Sequence, residues 1–324
     1  MKLAVLGAGA VGRSVAELAG EYGHEVTALA DSSSAVVDAD EVDVDAALAR
    51  KDAGDPLGDV EPGEALAAEY DALVEATPTT LGDAEPGFSH LRTALERDRH
   101  VVLANKGPVA ERYADVRELE AASDGDVYFE ATVGGAIPVC ATVDDLGAKH
   151  VSAVRGVLNG TANFVLSRMA AEGLDYDHVL AEAQDLGVAE ADPSFDVEGT
   201  DAALKCVIIA NVLREADCES LADLREVEVT LADAEVDGIK HVPGSALELA
   251  AEDGRTVRLV GEATREGVRV GPRLVPEHGT LAVTGTRNIV EIDHEYAGGL
   301  AISGRGAGGE ETASAVLADV ARLE

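Results

Sequence analysis

The feature that most constrains the fold lies near the amino end, where a glycine-rich turn joins an apolar run to a helical pattern. Residues 2–6 read KLAVL, GAGAVG follows, and apolar residues at helical spacing lead to a second strand-like run, HEVTALAD. A strand, a glycine turn, a helix and a strand in this order predict the first βαβ unit of a dinucleotide-binding sheet.

Each glycine of this turn has its own predicted role. Gly7 permits the tight turn, Gly9 lets the backbone approach a pyrophosphate, and Gly12 lets the helix pack close to the strand. The N–H groups at the helix start, at Ala10 and Val11, then face the phosphates. The alternative is an ordinary tight turn between a strand and a helix.

Asp31 ends the second strand-like run, 19 positions after Gly12. An acid at this place can accept a hydrogen bond from the adenosine ribose. Because a carboxylate repels a 2′-phosphate, Asp31 favours NAD over NADP. Arg50 or Lys51 could hold a phosphate, so the preference stays open. An acid that caps a turn is the other interpretation of Asp31.

Strand-like and helix-like runs keep alternating through the first half, with strand-like runs at 70–80, 100–108 and 127–138. This rhythm predicts an α/β fold with a Rossmann-type doubly wound parallel sheet. Ligands of such sheets bind at the carboxyl ends of the strands. Thr77 and Lys106 lie at predicted strand ends and are candidate site residues. A solvated turn lysine is the alternative for Lys106.

The second half contains a lysine directly after a run of acids, in DPSFDVEGTDAALK, residues 192–205. Thr200 is predicted to cap a helix that begins near Asp201. Asp201 and Lys205 then lie at i and i+4 on one helix face. Because CVIIANVL follows, this helix is predicted to be buried from its second turn. Lys205 then lies where the buried part of the helix begins.

Two simpler interpretations of this stretch remain open. Asp201 and Lys205 can form an exposed helix pair of small energetic value. Asp192, Asp196 and Glu198 can bind a hard cation, although their spacing misses the EF-hand pattern.

Composition excludes several classes of function. Sixty-two acidic residues stand against 25 basic ones, a formal charge of −37, which argues against nucleic acid or an anionic membrane as partner. No apolar run approaches the ~20 residues of a membrane span, so a cytoplasmic protein is expected. Three cysteines without CxxC spacing argue against a disulfide framework. The acids suit a hypersaline cytoplasm, because at ~1 M salt the Debye length is only ~3 Å.

Six stretches, taken in order, resemble the homoserine dehydrogenase family over nearly the whole chain. They are GAGAVG, ANKGP, FEATVGGAIP, GVLNGTANFVLSRM, LGVAEADPSFDVEGTDAALK and GRGAGGEETASAVLAD. The resemblance implies an enzyme that interconverts L-aspartate 4-semialdehyde and L-homoserine with NAD or NADP, in threonine and methionine biosynthesis.

The resemblance also implies residue roles. Lys205 matches the lysine that donates a proton to the aldehyde oxygen, Asp201 orients substrate and lysine, and Lys106 is a second lysine near the nicotinamide. The residues assigned to the substrate are Glu190, Thr161 and Asp196. Those assigned to the cofactor are Gly7, Gly9, Ala10, Val11, Gly12, Asp31, Thr77, Lys106, Gly187 and Gly306. A sodium ion is implied at Glu130, Val133, Gly135 and Ile137.

The implied architecture has two domains and a dimer. Residues 1–133, completed by a helix at 304–324, form the dinucleotide-binding domain, and residues 134–303 form an inserted α+β catalytic and dimerisation domain. A homodimer is implied by the family. Because the chain ends just after the last shared helix, feedback inhibition through a regulatory domain is not expected.

Three rival functions are weighed against this one. An NAD(H)-sensing regulatory protein would bind the cofactor without needing Lys205 or Lys106. Another dehydrogenase of amino acids or sugars would share the cofactor domain. A phosphorylating semialdehyde dehydrogenase needs a nucleophilic cysteine beside a base, and Cys140 has no histidine near it in sequence.

Overall fold

The computed structural model describes residues 1–323. It divides into two compact units, one made of Met1–Ala136 with the segment from Ala307 onward, the other of Ile137–Gly306. The glycine turn lies in the first unit. The acidic loop, residues 192–199, and Lys205 lie in the second. Within the described residues no helix has the length and hydropathy of a membrane span.

A parallel sheet forms the centre of the first unit. Its strands are β1 (Lys2–Leu6), β2 (Glu25–Ala30), β3 (Ala35–Val37), β4 (Ala72–Glu75), β5 (His100–Leu103) and β6 (Val127–Tyr128). They lie in the order β3-β2-β1-β4-β5-β6, and all pairs are parallel except β2 with β3. The strands are near-continuous apolar runs because helices cover such sheets. The predicted Rossmann-type sheet is confirmed.

Helices connect these strands as the alternating pattern predicts. They are α1 (Ala10–Leu18), α2 (Val44–Asp52), α3 (Pro62–Ala67), α4 (Gly87–Leu95), α5 (Gly107–Glu111) and α6 (Tyr113–Ala121). The apolar residues of α1 pack on β1 and β2, where Val15, Leu3 and Leu29 are fully buried. This packing fixes the position of the glycine turn at the end of β1.

One strand is much shorter than its sequence pattern predicts. The run 127–138 was predicted as a strand into a glycine bend, but β6 ends at Tyr128. Phe129 leaves the extended conformation (φ −150°, ψ 27°), and Glu130–Thr132 form a 3₁₀ turn. The chain therefore curls away from the sheet directly after β6.

The second unit contains a mainly antiparallel sheet packed by helices. The helices are α7 (Val139–Leu146), α8 (Gly160–Glu172), α9 (Tyr176–Asp185), α10 (Ser194–Val197), α11 (Thr200–Glu215), α12 (Leu221–Val227) and α13 (Gly244–Glu252). The strands are β7 (Val151–Val157), β8 (Glu235–Val236), β9 (Arg255–Thr264), β10 (Val268–Pro276), β11 (Arg287–His294) and β12 (Gly298–Arg305). Their order is β12-β11-β7-β9-β10-β8, and α8, α11 and α13 pack on β9. This is the predicted α+β arrangement.

The start of α11 corrects one prediction. Thr200 was expected to cap this helix, but Thr200 is its first helical residue and Gly199 is the N-cap, without a side-chain cap hydrogen bond. Gly199 has a left-handed backbone (φ +88°), a conformation that glycine adopts without steric cost. The chain therefore turns into the helix one residue earlier than predicted.

The last helix, α14 (Gly309–Arg322), belongs to the first unit. It packs on α1, since a Cβ at Gly309 would lie 2.8 Å from Ser14 Oγ. Asp319 of α14 accepts a hydrogen bond from the Glu130 N–H at 2.8 Å. Burial raises the pKa of Asp319 to about 7. The helix is thereby tied to the turn that follows β6.

Candidate active site

The glycine turn between β1 and α1 has the backbone that its sequence predicts. Gly7 has φ +102°, and a Cβ at Gly7 would lie 2.4 Å from the carbonyl oxygen of Ala76. A Cβ at Gly12 would lie 1.7 Å from the Gly7 carbonyl oxygen. At Gly9, by contrast, no described heavy atom lies within 4 Å of a Cβ position. Two glycines are thus required by packing, and the third leaves the backbone open to a pyrophosphate.

The first turn of α1 presents backbone donors beside this open space. The first intrahelical bond runs from the Arg13 N–H to the Gly9 carbonyl at 2.9 Å. The N–H groups of Ala10, Val11 and Gly12 precede it and lie outside the helical ladder. Such N–H groups, with the positive end of the helix dipole, favour a phosphate. The residues present therefore fit a dinucleotide.

Asp31 lies directly after β2 and is tightly held. One carboxylate oxygen accepts from Ser33 N and Ser34 N at 2.9 and 3.0 Å, and the other pairs with Lys51 Nζ. Burial alone would raise the pKa of Asp31, but the hydrogen bonds from Lys51, Ser33 and Ser34 lower it well below the usual value. Arg50 instead pairs with Asp59 at 2.7 Å. Of the two candidate phosphate ligands, only Lys51 therefore contacts Asp31.

Thr77 and Lys106 follow the neighbouring strands β4 and β5. The Thr77 N–H donates to Glu75 Oε1 at 2.9 Å. Lys106 is the residue before α5, and its N–H donates to Thr79 Oγ1 at 3.3 Å. Both residues lie at the carboxyl edge of the parallel sheet, where ligands bind.

Lys205 is buried on α11, with 5% of its surface exposed. Its Nζ donates to Asp201 Oδ2 and to the Leu158 carbonyl oxygen, each at 2.7 Å. The i and i+4 pair is therefore internal, and the exposed-pair alternative is wrong. An ammonium has three N–H donors, and these contacts account for two of them.

Asn159 joins Asp201 to the acidic loop. Its Oδ1 caps α8 by accepting from Ala162 N at 2.8 Å. Its Nδ2 donates to Asp196 Oδ1 at 2.7 Å and to Asp201 Oδ2 at 3.0 Å. One buried amide thus places both carboxylates relative to the start of α8.

The predicted substrate loop is tied to the same helix. Thr161 of α8 donates through Oγ1 to the Val188 carbonyl at 3.2 Å. Gly187, after α9, has a left-handed backbone with φ +69°. Glu190 is exposed, and its carbonyl accepts from Gln184 Nε2 at 3.1 Å. These bonds tie the segment after α9, which carries Glu190, to the start of α8.

Gly306 has a packing reason in addition to its predicted cofactor role. Asn288 Nδ2 donates to the Leu158 carbonyl at 2.9 Å, which is the carbonyl that Lys205 contacts. A Cβ at Gly306 would lie 1.7 Å from that Nδ2. A side chain at 306 would therefore displace Asn288, which shares the Leu158 carbonyl with Lys205.

The predicted sodium ligands divide between the units. Glu130, Val133 and Gly135 lie in the first unit, and Ile137 begins the second. The Glu130 carbonyl accepts from Val133 N at 3.1 Å, and Glu130 is 5% exposed. Within residues 1–323, no group of three or more His, Cys, Asp or Glu is placed to hold a metal. A cation here would be coordinated by backbone carbonyl oxygens, which are common ligands of hard cations.

The likeness to known proteins agrees with this geometry. The family model "Homoserine dehydrogenase" matches residues 138–321, and the model "Glutamate/Leucine/Phenylalanine/Valine dehydrogenase" matches residues 1–81. A homoserine dehydrogenase of Methanocaldococcus jannaschii is 35% identical over 100% of this chain and 98% of its own length. The chain belongs to the homoserine dehydrogenase family.

Other homoserine dehydrogenases extend the comparison to structure and cofactor. The crystal structure of a protein of Archaeoglobus fulgidus that is assigned to this family superposes on this chain with a TM-score of 0.89. The two sequences are 40% identical, and the match covers 100% of this chain and 99% of that one. An NAD(+)-dependent member of Pseudomonas canavaninivorans is 36% identical over 78% of this chain and 70% of its own. A hyperthermophilic archaeal member in complex with NADPH has TM-score 0.82 and 26% identity, with 99% and 96% coverage.

Two of the three cysteines of this chain are poor candidates for a nucleophile. Burial raises the pKa of the Cys206 thiol, next to Lys205 in sequence, to about 12. Burial also raises the pKa of Cys218. Reactive cysteines need a lowered pKa, so neither residue suits the thioester chemistry of the phosphorylating rival.

Three residues near the site were not singled out from the sequence. Asn159 precedes a glycine, which signals a turn or a helix cap, and Asn288 lies in an ordinary strand pattern. Glu75 is a lone acid at the end of the apolar run ALVE. That last signal was available, because an acid at the end of a buried strand is unusual.

Proposed function

We propose that this chain interconverts L-homoserine and L-aspartate 4-semialdehyde with NAD or NADP, and that Lys205 exchanges the proton at the reacting oxygen. As a family member, the chain is an NAD(P)-dependent oxidoreductase acting on a CH–OH group. The observation that carries the residue assignment is the buried Lys205 ammonium, 2.7 Å from both Asp201 Oδ2 and the Leu158 carbonyl.

The chemistry requires a proton donor at one atom. When bound, the nicotinamide exchanges a hydride with the carbon that carries this oxygen. During reduction the oxygen gains negative charge, which a nearby proton donor stabilises. Asp201 and the Leu158 carbonyl hold two N–H groups of Lys205, and we assign the third to the substrate oxygen. During oxidation the same nitrogen, as the neutral amine, accepts the hydroxyl proton.

Two other acids of the second unit suit the other end of the substrate. Homoserine and its aldehyde carry an ammonium group, for which Glu190 and Asp196 supply carboxylates. Asn159 holds Asp196 at 2.7 Å, and Thr161 ties the Glu190 loop to α8. The second unit is thereby proposed as the substrate domain and the first as the cofactor domain.

The cofactor domain is proposed to prefer NAD. Its glycine turn, Thr77 and Lys106 supply the pyrophosphate and nicotinamide ends of the site. Asp31 has a pKa below its usual range, so it is ionised at neutral pH and repels a 2′-phosphate. Lys51 is engaged by Asp31 and is thereby withheld from such a phosphate.

Replacing Asp31 by serine is expected to reverse this preference. The change removes the ribose acceptor and releases Lys51, so kcat/KM for NAD falls by about tenfold or more while kcat/KM for NADP rises. A hydrogen bond to a charged group contributes ~1.5–3 kcal/mol, which corresponds to this range. Initial rates of homoserine oxidation with each cofactor measure it.

A matched control removes another acid of the same unit. Glu69→Ser breaks the Arg99 pair on the surface before β5 and should leave both cofactor constants unchanged. An Asp31→Ser enzyme that keeps the wild-type ratio of NAD to NADP efficiency would contradict the proposed preference.

Stability is proposed to depend on salt. The formal charge of −37 produces repulsion that molar salt screens to a distance of ~3 Å. The thermal midpoint is expected to rise by about 10 °C or more between dilute buffer and ~2 M KCl. Calorimetry with sucrose as the uncharged control measures it, and full stability in dilute buffer would end the hypothesis of a hypersaline origin.

Three expectations remain. A homodimer and a sodium ion at Glu130, Val133, Gly135 and Ile137 are proposed from the family alone, and a cytoplasmic location is proposed from the composition of the sequence. Sedimentation tests the dimer. Titration of dialysed enzyme with NaCl against choline chloride at constant ionic strength tests the cation.

A further inference from the structure

Glu75 is a buried acid that the fold of the first unit does not require. It is the last residue of β4 and has 0% exposure. In the sheet register it lies beside Leu6 of β1 and Leu103 of β5. Both neighbours are apolar and buried, so an apolar residue would suit this level of the sheet. Burying a carboxylate costs free energy unless polar groups surround it.

Polar groups do surround Glu75, and they come from both loops that follow the neighbouring strands. Glu75 Oε1 accepts from Thr77 N at 2.9 Å, from the Thr77 hydroxyl, and from Asn105 Nδ2 at 3.4 Å. Glu75 Oε2 lies 2.6 Å from His90 Nδ1 of α4. The carboxylate therefore connects the loop after β4 to the loop after β5.

The same contacts determine where the backbone of Lys106 lies. Asn105 also donates to Thr77 Oγ1 at 3.2 Å, and its Oδ1 accepts from Gly107 N at 2.9 Å. A Cβ at Gly107 would lie 2.4 Å from the Thr80 carbonyl, so the two loops are in close contact. The hydrogen bonds hold Asn105 and Gly107 in place, and Lys106 lies between these two residues.

We propose that Glu75 is a positioning residue for Lys106. Its carboxylate, oriented by His90, sets the distance between the loops that carry Thr77 and Lys106, and thereby places the Lys106 side chain for the reaction. This inference rests on the proposed function, because it assigns Lys106 to the nicotinamide and substrate end of the site. Glu75 itself touches no reacting atom.

Glu75→Gln tests the proposal in the full-length enzyme. The amide keeps one acceptor oxygen, so it cannot accept at once from the Thr77 and Asn105 donors on one side and from an N–H of His90 on the other. At saturating NAD and homoserine, well below the thermal midpoint, kcat is expected to fall about tenfold or more, because small misplacements of a reacting group cost up to ~100-fold.

The matched control is Glu120→Gln. Glu120 of α6 also links two segments, since its carboxylate accepts from Arg117 at 2.6 Å and from the N–H of Val127 at 2.7 Å. Val127 begins β6, so this contact lies at the opposite edge of the sheet from Lys106. Its loss should lower the thermal midpoint and leave kcat of the folded enzyme unchanged. This comparison separates positioning from a purely structural role.

Each outcome decides the proposal. A folded Glu75→Gln enzyme with wild-type kcat would overturn it. If this variant does not fold, Asn105→Ala decides instead, because it cuts the link between the loops while Thr77 and His90 still satisfy Glu75; wild-type kcat there also overturns the proposal. Wild-type protein that fails to oxidise homoserine would overturn the proposed function and this inference with it.

Discussion

Lys205→Ala should lower kcat for homoserine oxidation by about 10²- to 10⁴-fold, the usual contribution of a general acid or base. The variant loses the ammonium group that contacts Asp201 and the Leu158 carbonyl, whereas the glycine turn and Asp31 lie in the other unit. Affinity for NADH, measured by the fluorescence of the bound dinucleotide, should therefore stay at the wild-type value.

The control for this experiment is Lys240→Ala, which removes an exposed lysine of the same unit. It should leave turnover unchanged. A Lys205→Ala enzyme that binds NADH and turns over normally would exclude the proton-transfer role. Wild-type protein that binds NADH without oxidising homoserine would instead favour a cofactor-sensing protein or a dehydrogenase with another substrate.

The second large effect is expected from a pair of glycine substitutions in one turn. In Gly12→Ala the new Cβ would lie 1.7 Å from the Gly7 carbonyl oxygen, and backbone cannot move aside as a flexible side chain can. The free energy of unfolding should fall by about 3 kcal/mol or more, at the upper end of overpacking effects, and NADH binding should be lost.

Gly9→Ala should behave differently. No described atom lies within 4 Å of its Cβ, so stability should fall only by the ~1 kcal/mol or less that alanine costs at a helix N-cap. NADH affinity should still fall, because the methyl group occupies the space assigned to the pyrophosphate. Denaturation curves and NADH titrations of both variants test this, and unchanged NADH affinity in Gly9→Ala would contradict the proposed phosphate site.

The parts of this structure that could be predicted are those encoded by local spacing. The alternation of apolar strands and helices indicates the parallel sheet, and GAGAVG indicates the turn that begins it. The i and i+4 spacing of Asp201 and Lys205 puts the two side chains on one helix face, and they contact at 2.7 Å. These features depend on backbone periodicity, which a single sequence contains.

The rest depends on contacts between distant residues, which periodicity does not contain. Asn159 reaches Asp201 across 42 positions, and Asn288 reaches Leu158 across 130. Nothing in the neighbourhood of either asparagine indicates these partners. The cap of α11 was wrong for a local reason instead, since Gly199, with its left-handed backbone, takes the N-cap position that was predicted for Thr200.

The Leu158 carbonyl has a practical consequence for enzyme design. One of the two acceptors that hold the Lys205 ammonium is a backbone carbonyl, so it is present whatever side chain stands at position 158. Transplanting the side chains of Asp201 and Lys205 onto another scaffold would therefore omit one of the two acceptors of the ammonium group. A graft must carry the junction between β7 and α8 as well, with its carbonyl aimed at the incoming amine.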